Sequence, residues 1–164
     1  MSKQLPTARQ PLAGIEVIEL SNMITCSLAA QTMAAQGANI IKVEPPVGGD
    51  QMRPLGTQKG GVSGFFHNCN RGKQSLAIDL KSEAGVAAVK KLAARADILL
   101  HNYRPGVMDR LGLGYDAMQE INPSLVYCAL KGFLSGPYEQ RAALDEVVQM
   151  MGGLAYMTGR PGDP

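Results

Sequence analysis

Residues 14–20 (GIEVIEL) alternate between polar and apolar positions and end in a β-branched run, which predicts a first strand. Ser21 and Asn22 open a loop. The Ala-rich residues 25–36 (TCSLAAQTMAAQ) then predict a helix stopped by Gly37. Residues 39–43 (NIIKV) predict a second strand, closed by Glu44-Pro45-Pro46. Residues 47–64 are rich in Gly and carry Pro54, so they read as a long excursion rather than a packed element. Residues 65–71 (FFHNCNR) lead into a third strand at 75–80. Ser82 is placed to cap a helix running to Ala94, with Glu83 in its first turn and Lys90, Lys91 and Arg95 in its last, where each charge suits the helix dipole. A strand at 98–100, a helix at 116–121, a break at Pro123 and a strand at 125–130 follow. A last helix is predicted over residues 145–156, where Met150, Met151 and Met157 read as core.

Strands alternating with helices at this spacing predict an α/β fold with a parallel, doubly wound sheet. At 164 residues, 45% of them apolar, the chain is long enough to bury a core in one such domain, after a polar leader at residues 1–10. The formal charge is only +2 and the basic residues are dispersed, which argues against a nucleic-acid partner. No apolar run approaches the roughly 20 residues needed to cross a bilayer. The leader also lacks the apolar segment of a secretory signal, so no membrane partner and a cytoplasmic location are expected. Cys26, Cys69 and Cys128 form an odd set with no CxxC pair, which predicts unpaired thiols in a reducing compartment.

Several common chemistries fit this chain poorly. Dinucleotide binding on such a sheet uses a Gly-rich turn after the first strand, so that pyrophosphate can approach the helix start. This chain has SNMITCSLAA there. A phosphate-binding Gly-Lys-Ser/Thr is absent too, since Gly72-Lys73-Gln74 fails at its third residue. His67 and His101 are the only histidines, with no acidic or thiol ligands at metal spacing, so no metal is expected. His67 reads as a loop-packing residue and His101 as one hydrogen-bonded within its loop. Asp145 and Glu146 read as charges that favour a helix start, and Asp79, Asp109 and Glu139 as turn or cap residues.

Residues 97–115 (DILLHNYRPGVMDRLGLGY) are the most informative stretch. The apolar run Ile98-Leu99-Leu100 ends in His101-Asn102-Tyr103-Arg104, and Pro105-Gly106 then starts a short helical turn that brings Arg110 back toward that loop. Two guanidiniums, an amide and an aromatic ring are gathered at the carboxyl end of a strand, where open α/β sheets bind ligands. The grouping suits a ligand with phosphates and a flat base, because Arg offers a rigid fork of donors and stacks on π faces.

A series of blocks in order carries a resemblance. PLAGIEVIELS, GANIIKVEPPVGGD and FFHNCNRGKQSLAIDLKSEAG come first, followed by ADILLHNYRPGVMDRLGLGYDAMQEINPSLVYCALKGF and GPYEQRAALDEVVQMMGGLAYMTGRPGDP. From about residue 11 onward the chain resembles the family III CoA-transferases of the CaiB/BaiF type, a group that also holds formyl-CoA transferase and the α-methylacyl-CoA racemases. The resemblance implies a Rossmann-like sheet over residues 11–158, forming the N-terminal half of a larger domain, with residues 159–164 as the start of a connection. It implies coenzyme A and acyl-CoA as substrates with a carboxylic acid as acceptor, no prosthetic group, and an interlinked homodimer.

Carried over by position, the family's CoA contacts fall at Ile24 and Thr25, at Ile78, Asp79, Leu80 and Lys81, at Asn102, Tyr103 and Arg104, at Arg110, and at Arg141, Ala142, Ala143 and Leu144. All but the last group follow a predicted strand, which places them on one edge of the sheet. Lys81, Arg104 and Arg110 would meet the phosphates, with Tyr103 and the aliphatic residues lining adenine and pantetheine. The chain departs from the pattern at Pro45, where some members have Arg, and near Ala142, where some have Lys. The family nucleophile is an Asp in a block expected beyond Pro164, so the chain reads as an N-terminal fragment that is inactive and poorly stable alone. Asp145 is expected to position ligand and not to be the nucleophile. KGFLSGPYEQRAALDEVVQMMGGLAYMTG is similar to the branch acting on short dicarboxylic acids such as mesaconyl-CoA. A racemase needs an acid/base pair, and the family places His directly before Asp145, where this chain has Leu144. An inactive CoA-binding remnant is the remaining alternative.

Overall fold

The computed structural model describes residues 10–160 and Gly162, so most of the polar leader and part of the terminal connection lie outside the described residues. In chain order the elements up to the middle are β1 (Glu16–Leu20), α1 (Thr25–Ala35), β2 (Asn39–Glu44), β3 (Gln58–Lys59), β4 (Val62–Ser63), α2 (Gly64–Asn70) and β5 (Lys73–Ala77). They continue as α3 (Glu83–Ala93), β6 (Ile98–His101), α4 (Val107–Arg110), α5 (Tyr115–Ile121), β7 (Val126–Ala129), α6 (Asp145–Met151) and α7 (Leu154–Met157). Five strands pair in parallel in the order β5-β2-β1-β6-β7, while β3 and β4 make a separate antiparallel pair.

The register sets Val17 beside Ile40 and Glu19 beside Lys42 on one side, and Ile18 beside Leu99 on the other. Because successive side chains point to opposite faces, one face joins Val17, Ile40 and Leu100 to Cys26 and Ala30 of α1. The other joins Ile18, Leu20, Val43 and Leu99 to Val89 and Ala93 of α3, Met108 of α4 and Met118 of α5. Helices therefore cover both faces, as a doubly wound sheet requires. The cap expected at Ser82 is present, its hydroxyl accepting from Gly85 N at 3.0 Å. At the other end of α3, buried Asn122 donates to the carbonyls of Ala93 and Ala96.

The structure corrects three expectations and refines a fourth. Residues 64–70 form a helix and not a lead-in, because Ser63 caps it, accepting from Phe66 N at 2.9 Å while donating to Met52 O. β5 starts at Lys73, two residues before the predicted start, because Lys73 already pairs with Ile40 of β2. The excursion after β2 is largely exposed as expected, but it is anchored by Asp50 and Met52, which are fully buried. The last predicted helix is two, α6 and α7, parted where Gly153 takes φ 77, a conformation without steric cost only for glycine.

The chain divides into two compact units after Leu130. In the second, no described residue from 131 to 160 is buried. Met150, Met151 and Met157 are thus exposed and not core. Among the described residues no helix is long and apolar enough to cross a membrane.

Candidate functional site

Strand order reverses at β1: the chain runs outward through β2 and β5 on one side, then through β6 and β7 on the other. The connections leaving β1 and β6 therefore diverge, and the gap between them is the place where such sheets receive ligands. Asn102, just after β6, spans it. Its Oδ1 accepts from Asn22 N at 3.1 Å, and its Nδ2 donates to Asn22 O at 2.6 Å and to Thr25 Oγ1 at 3.1 Å. The amide ties the 102–106 loop to the turn that starts α1. Arg104 and Arg110 are both exposed. Gly106 has φ 74, and a Cβ there would stand 3.3 Å from Arg110 Nη1. Glycine at 106 permits the backbone turn and the return of the guanidinium over it.

The residues predicted after β5 divide by chemistry. Ile78 and Leu80 are half-buried against the Ile18–Leu99 cluster, and Tyr103 packs against the same cluster. Asp79 shapes the turn, its carboxylate accepting from Lys81 N at 2.9 Å. Lys81 and Ile24 are exposed. Burial pushes the Tyr103 hydroxyl above its ordinary range. His101 is the last residue of β6 and not a loop residue; its buried ring lies between Tyr103, 6.4 Å away at 23°, and Tyr127, 5.3 Å away at 65°. His67 stands exposed on α2 and not in a loop.

Beneath the β1–α1 turn lies a buried charge layer that sequence reasoning missed. Lys42 Nζ meets Glu19 Oε1 at 2.6 Å, Asp50 Oδ2 at 2.8 Å and Ser27 Oγ at 3.0 Å. Lys73 Nζ meets Glu19 Oε2 at 2.6 Å and the carbonyl of Ser27 at 2.8 Å. Two carboxylates and two ammoniums cancel, which is the condition under which buried charge is tolerated. Burial pushes the Glu19 carboxyl up, but Lys42 and Lys73 outweigh it and hold the carboxyl below the usual carboxylate range. Burial pulls Lys42 down, and Glu19 and Asp50 more than reverse that. For Lys73 burial prevails over its one carboxylate partner. Alongside, Glu44 takes two bonds of 2.7 Å from Arg53 and one of 2.7 Å from Ser75. Burial works against that charge, yet these bonds hold the carboxyl at about 2. A signal for the layer was present: strands covered on both faces are normally apolar throughout, and Glu19 and Lys42 interrupt two such strands.

The last predicted group belongs to the second unit. Arg141 lies 4.9 Å over the Tyr138 ring, Ala143 packs at Gly132, and Leu144 precedes α6 without a side-chain cap. Asp145 opens α6 and accepts from Gln149. Among the described residues no cluster could hold a metal ion. The three cysteines are unpaired, with Cys26 and Cys69 buried and Cys128 exposed.

Fold and crevice define an α/β protein with a cationic loop at its topological switch point. The sequence profile of CoA-transferase family III matches residues 12–164, and the chain belongs to that family. It is 38% identical to succinate–glutarate CoA-transferase of Agrobacterium fabrum, over 96% of this chain and 41% of that protein. It is 39% identical to acetyl-CoA:oxalate CoA-transferase of Acetobacter aceti, over 94% of this chain and 40% of that protein. The solved structure of a CaiB/BaiF family protein from Brucella suis superposes with a TM-score of 0.88 at 39% identity, covering 94% of this chain and 42% of that one. The chain thus spans about two-fifths of the length of the relatives it matches.

Proposed function

We propose that this protein is a CoA-transferase that moves CoA from an acyl-CoA donor to a short dicarboxylic acid, with the CoA held at the crevice between β1 and β6. In the net reaction the donor's carbonyl–sulfur bond breaks and a new one forms at the acceptor carboxyl, whose oxygen leaves with the donor acid. The observation that carries this reading is Asn102 tying the β6 loop to the β1–α1 turn, with Arg104 and Arg110 presented around it. Arg104, Arg110 and Lys81 supply cationic donors for the CoA phosphates. Tyr103, Ile24, Ile78 and Leu80 line adenine and pantetheine, while Thr25, Asp79 and Asn102 hold the loops that present them; in the second unit, Arg141, Ala142, Ala143 and Leu144 are CoA contacts on the family resemblance. Asp145 positions ligand.

The acceptor class rests on relatives named for succinate, glutarate, oxalate, L-malate and D-citramalate. Mesaconate is a further acid of that class and the acceptor we favour. A racemase is disfavoured, because Leu144 carries no proton-transferring group. On the family resemblance we infer an interlinked homodimer, and from the unpaired cysteines a cytoplasmic location.

Replacing Arg104 or Arg110 with Ala is expected to weaken CoA binding roughly tenfold or more, the effect of losing one charge-assisted hydrogen bond. Titration with CoA and with 3′-dephospho-CoA shows which phosphate each guanidinium meets. Unchanged affinity in both folded variants overturns the assignment of the crevice.

A further inference from the structure

We infer that Asp50 is a positioning residue for the CoA crevice, fixing through its carboxylate the β1–α1 turn that presents Ile24 and Thr25; this rests on the reading of the crevice given above. The turn needs such a restraint. Met23 has φ 63, a conformation uncommon for any residue with a side chain, and one that persists where its surroundings impose it. Asn102 holds the flanks of the turn at Asn22 and Thr25 but makes no bond to Met23. The Met23 amide instead donates to Asp50 Oδ1 at 3.2 Å, across 27 positions of sequence.

Asp50 is itself fully buried and fixed on three sides. Its amide donates to Glu44 Oε2 at 2.9 Å, its Oδ1 also accepts from Met52 N at 2.8 Å, and its Oδ2 lies 2.8 Å from Lys42 Nζ. The two carboxylate oxygens therefore have different tasks. Oδ2 belongs to the buried charge layer, and Oδ1 faces the backbone of the turn. Met23 also packs against Met52 and Phe66, so the Gly-rich excursion meets the turn with both an apolar and a polar contact. The excursion thereby sets the shape of one wall of the crevice without contributing a residue to the predicted contacts.

Two variants separate the tasks of the oxygens. Asp50→Ala removes both. Asp50→Asn keeps an oxygen able to accept from Met23 N and removes the charge facing Lys42. Asp50→Ala is expected to raise the Kd for CoA about tenfold and to speed hydrogen exchange at the Met23 amide. Asp50→Asn is expected to recover most of the affinity and most of the protection. If Asp50→Asn binds CoA as weakly as Asp50→Ala, the charge matters and the turn does not, and the inference fails. It also fails if Asp50→Ala binds CoA like the unaltered protein. Should Asp50→Ala not fold, the unaltered protein still decides, because fast exchange at the Met23 amide shows that nothing holds it. If the unaltered protein binds no CoA, the reading of the crevice fails and the role in ligand presentation fails with it, while exchange at Met23 still reports separately on the turn.

Discussion

The regions on either side of Leu130 treat apolar side chains in opposite ways. In the first, a five-stranded parallel ladder holds Ile18, Leu99 and Met118 on one face and Val17, Ile40 and Leu100 on the other, and helices close over both. In the second, Leu134, Leu144, Met150, Leu154 and Tyr156 are all exposed, Tyr156 at 96%. Its helices have 7 and 4 residues, well short of the roughly 12–15 at which an isolated helix holds its own shape in water. Apolar content becomes a core only where a hydrogen-bonded frame spaces the side chains against a second layer. Charge divides in the same way. Glu19, Lys42, Asp50 and Lys73 are paired out of water in the first region, whereas Lys131 and Glu139 pair at 2.9 Å on an open surface, where such a bridge contributes little.

The sharpest way to break this comparison is to remove one buried charge. Lys42→Met leaves the carboxylate of Asp50 without its cation and is expected to cost about 3–5 kcal/mol, measured by denaturant unfolding. A loss within the range of surface substitutions would mean that the charge layer is open to water. Leu99→Ala, on the central strand pair, is expected to cost about 2–5 kcal/mol, the range for emptying a packed leucine site.

Arg53→Ala tests Glu44, the carboxylate alongside the layer, through pH. Glu44 is held at about 2 against an ordinary 4.5, so its contribution is complete above about pH 4.5 and is lost as pH falls toward 2. Removing Arg53 raises that carboxyl, so acid unfolding should begin at higher pH than in the unaltered protein. The expected loss is about 1–2 kcal/mol at pH 6, kept low because the Arg53 side chain is 30% exposed, and the gap between the two proteins should close as pH drops. Smallest of all, Met150→Ala in α6 is expected to change stability by no more than about 0.5 kcal/mol, since Met150 is 71% exposed and has no packed site to empty. A cost like that of Leu99→Ala would show Met150 buried in solution and erase the contrast between the regions.

What the sequence by itself determined is local or ordered along the chain. The alternation of strands and helices required a parallel sheet covered on both faces, Ser82 marked the start of α3, and Pro105-Gly106 marked the turn that returns Arg110. The ordered blocks from residue 11 onward are enough by themselves to point to the family. Each of these signals lies within a few residues or in a fixed succession, so chain geometry alone transmits it. The tertiary structure decided what depends on distant partners. Ser63 capped α2 while its hydroxyl also bonded Met52 O, which fixed a helix in a stretch read as a loop. The excursion is anchored at Asp50 because that carboxylate meets Lys42 and the Met23 amide, a pairing that no local pattern announces. Met150 and its neighbours stayed exposed although their composition suggested a core. Periodicity shows which face of a helix is apolar, but only the placement of another surface decides whether that face is buried.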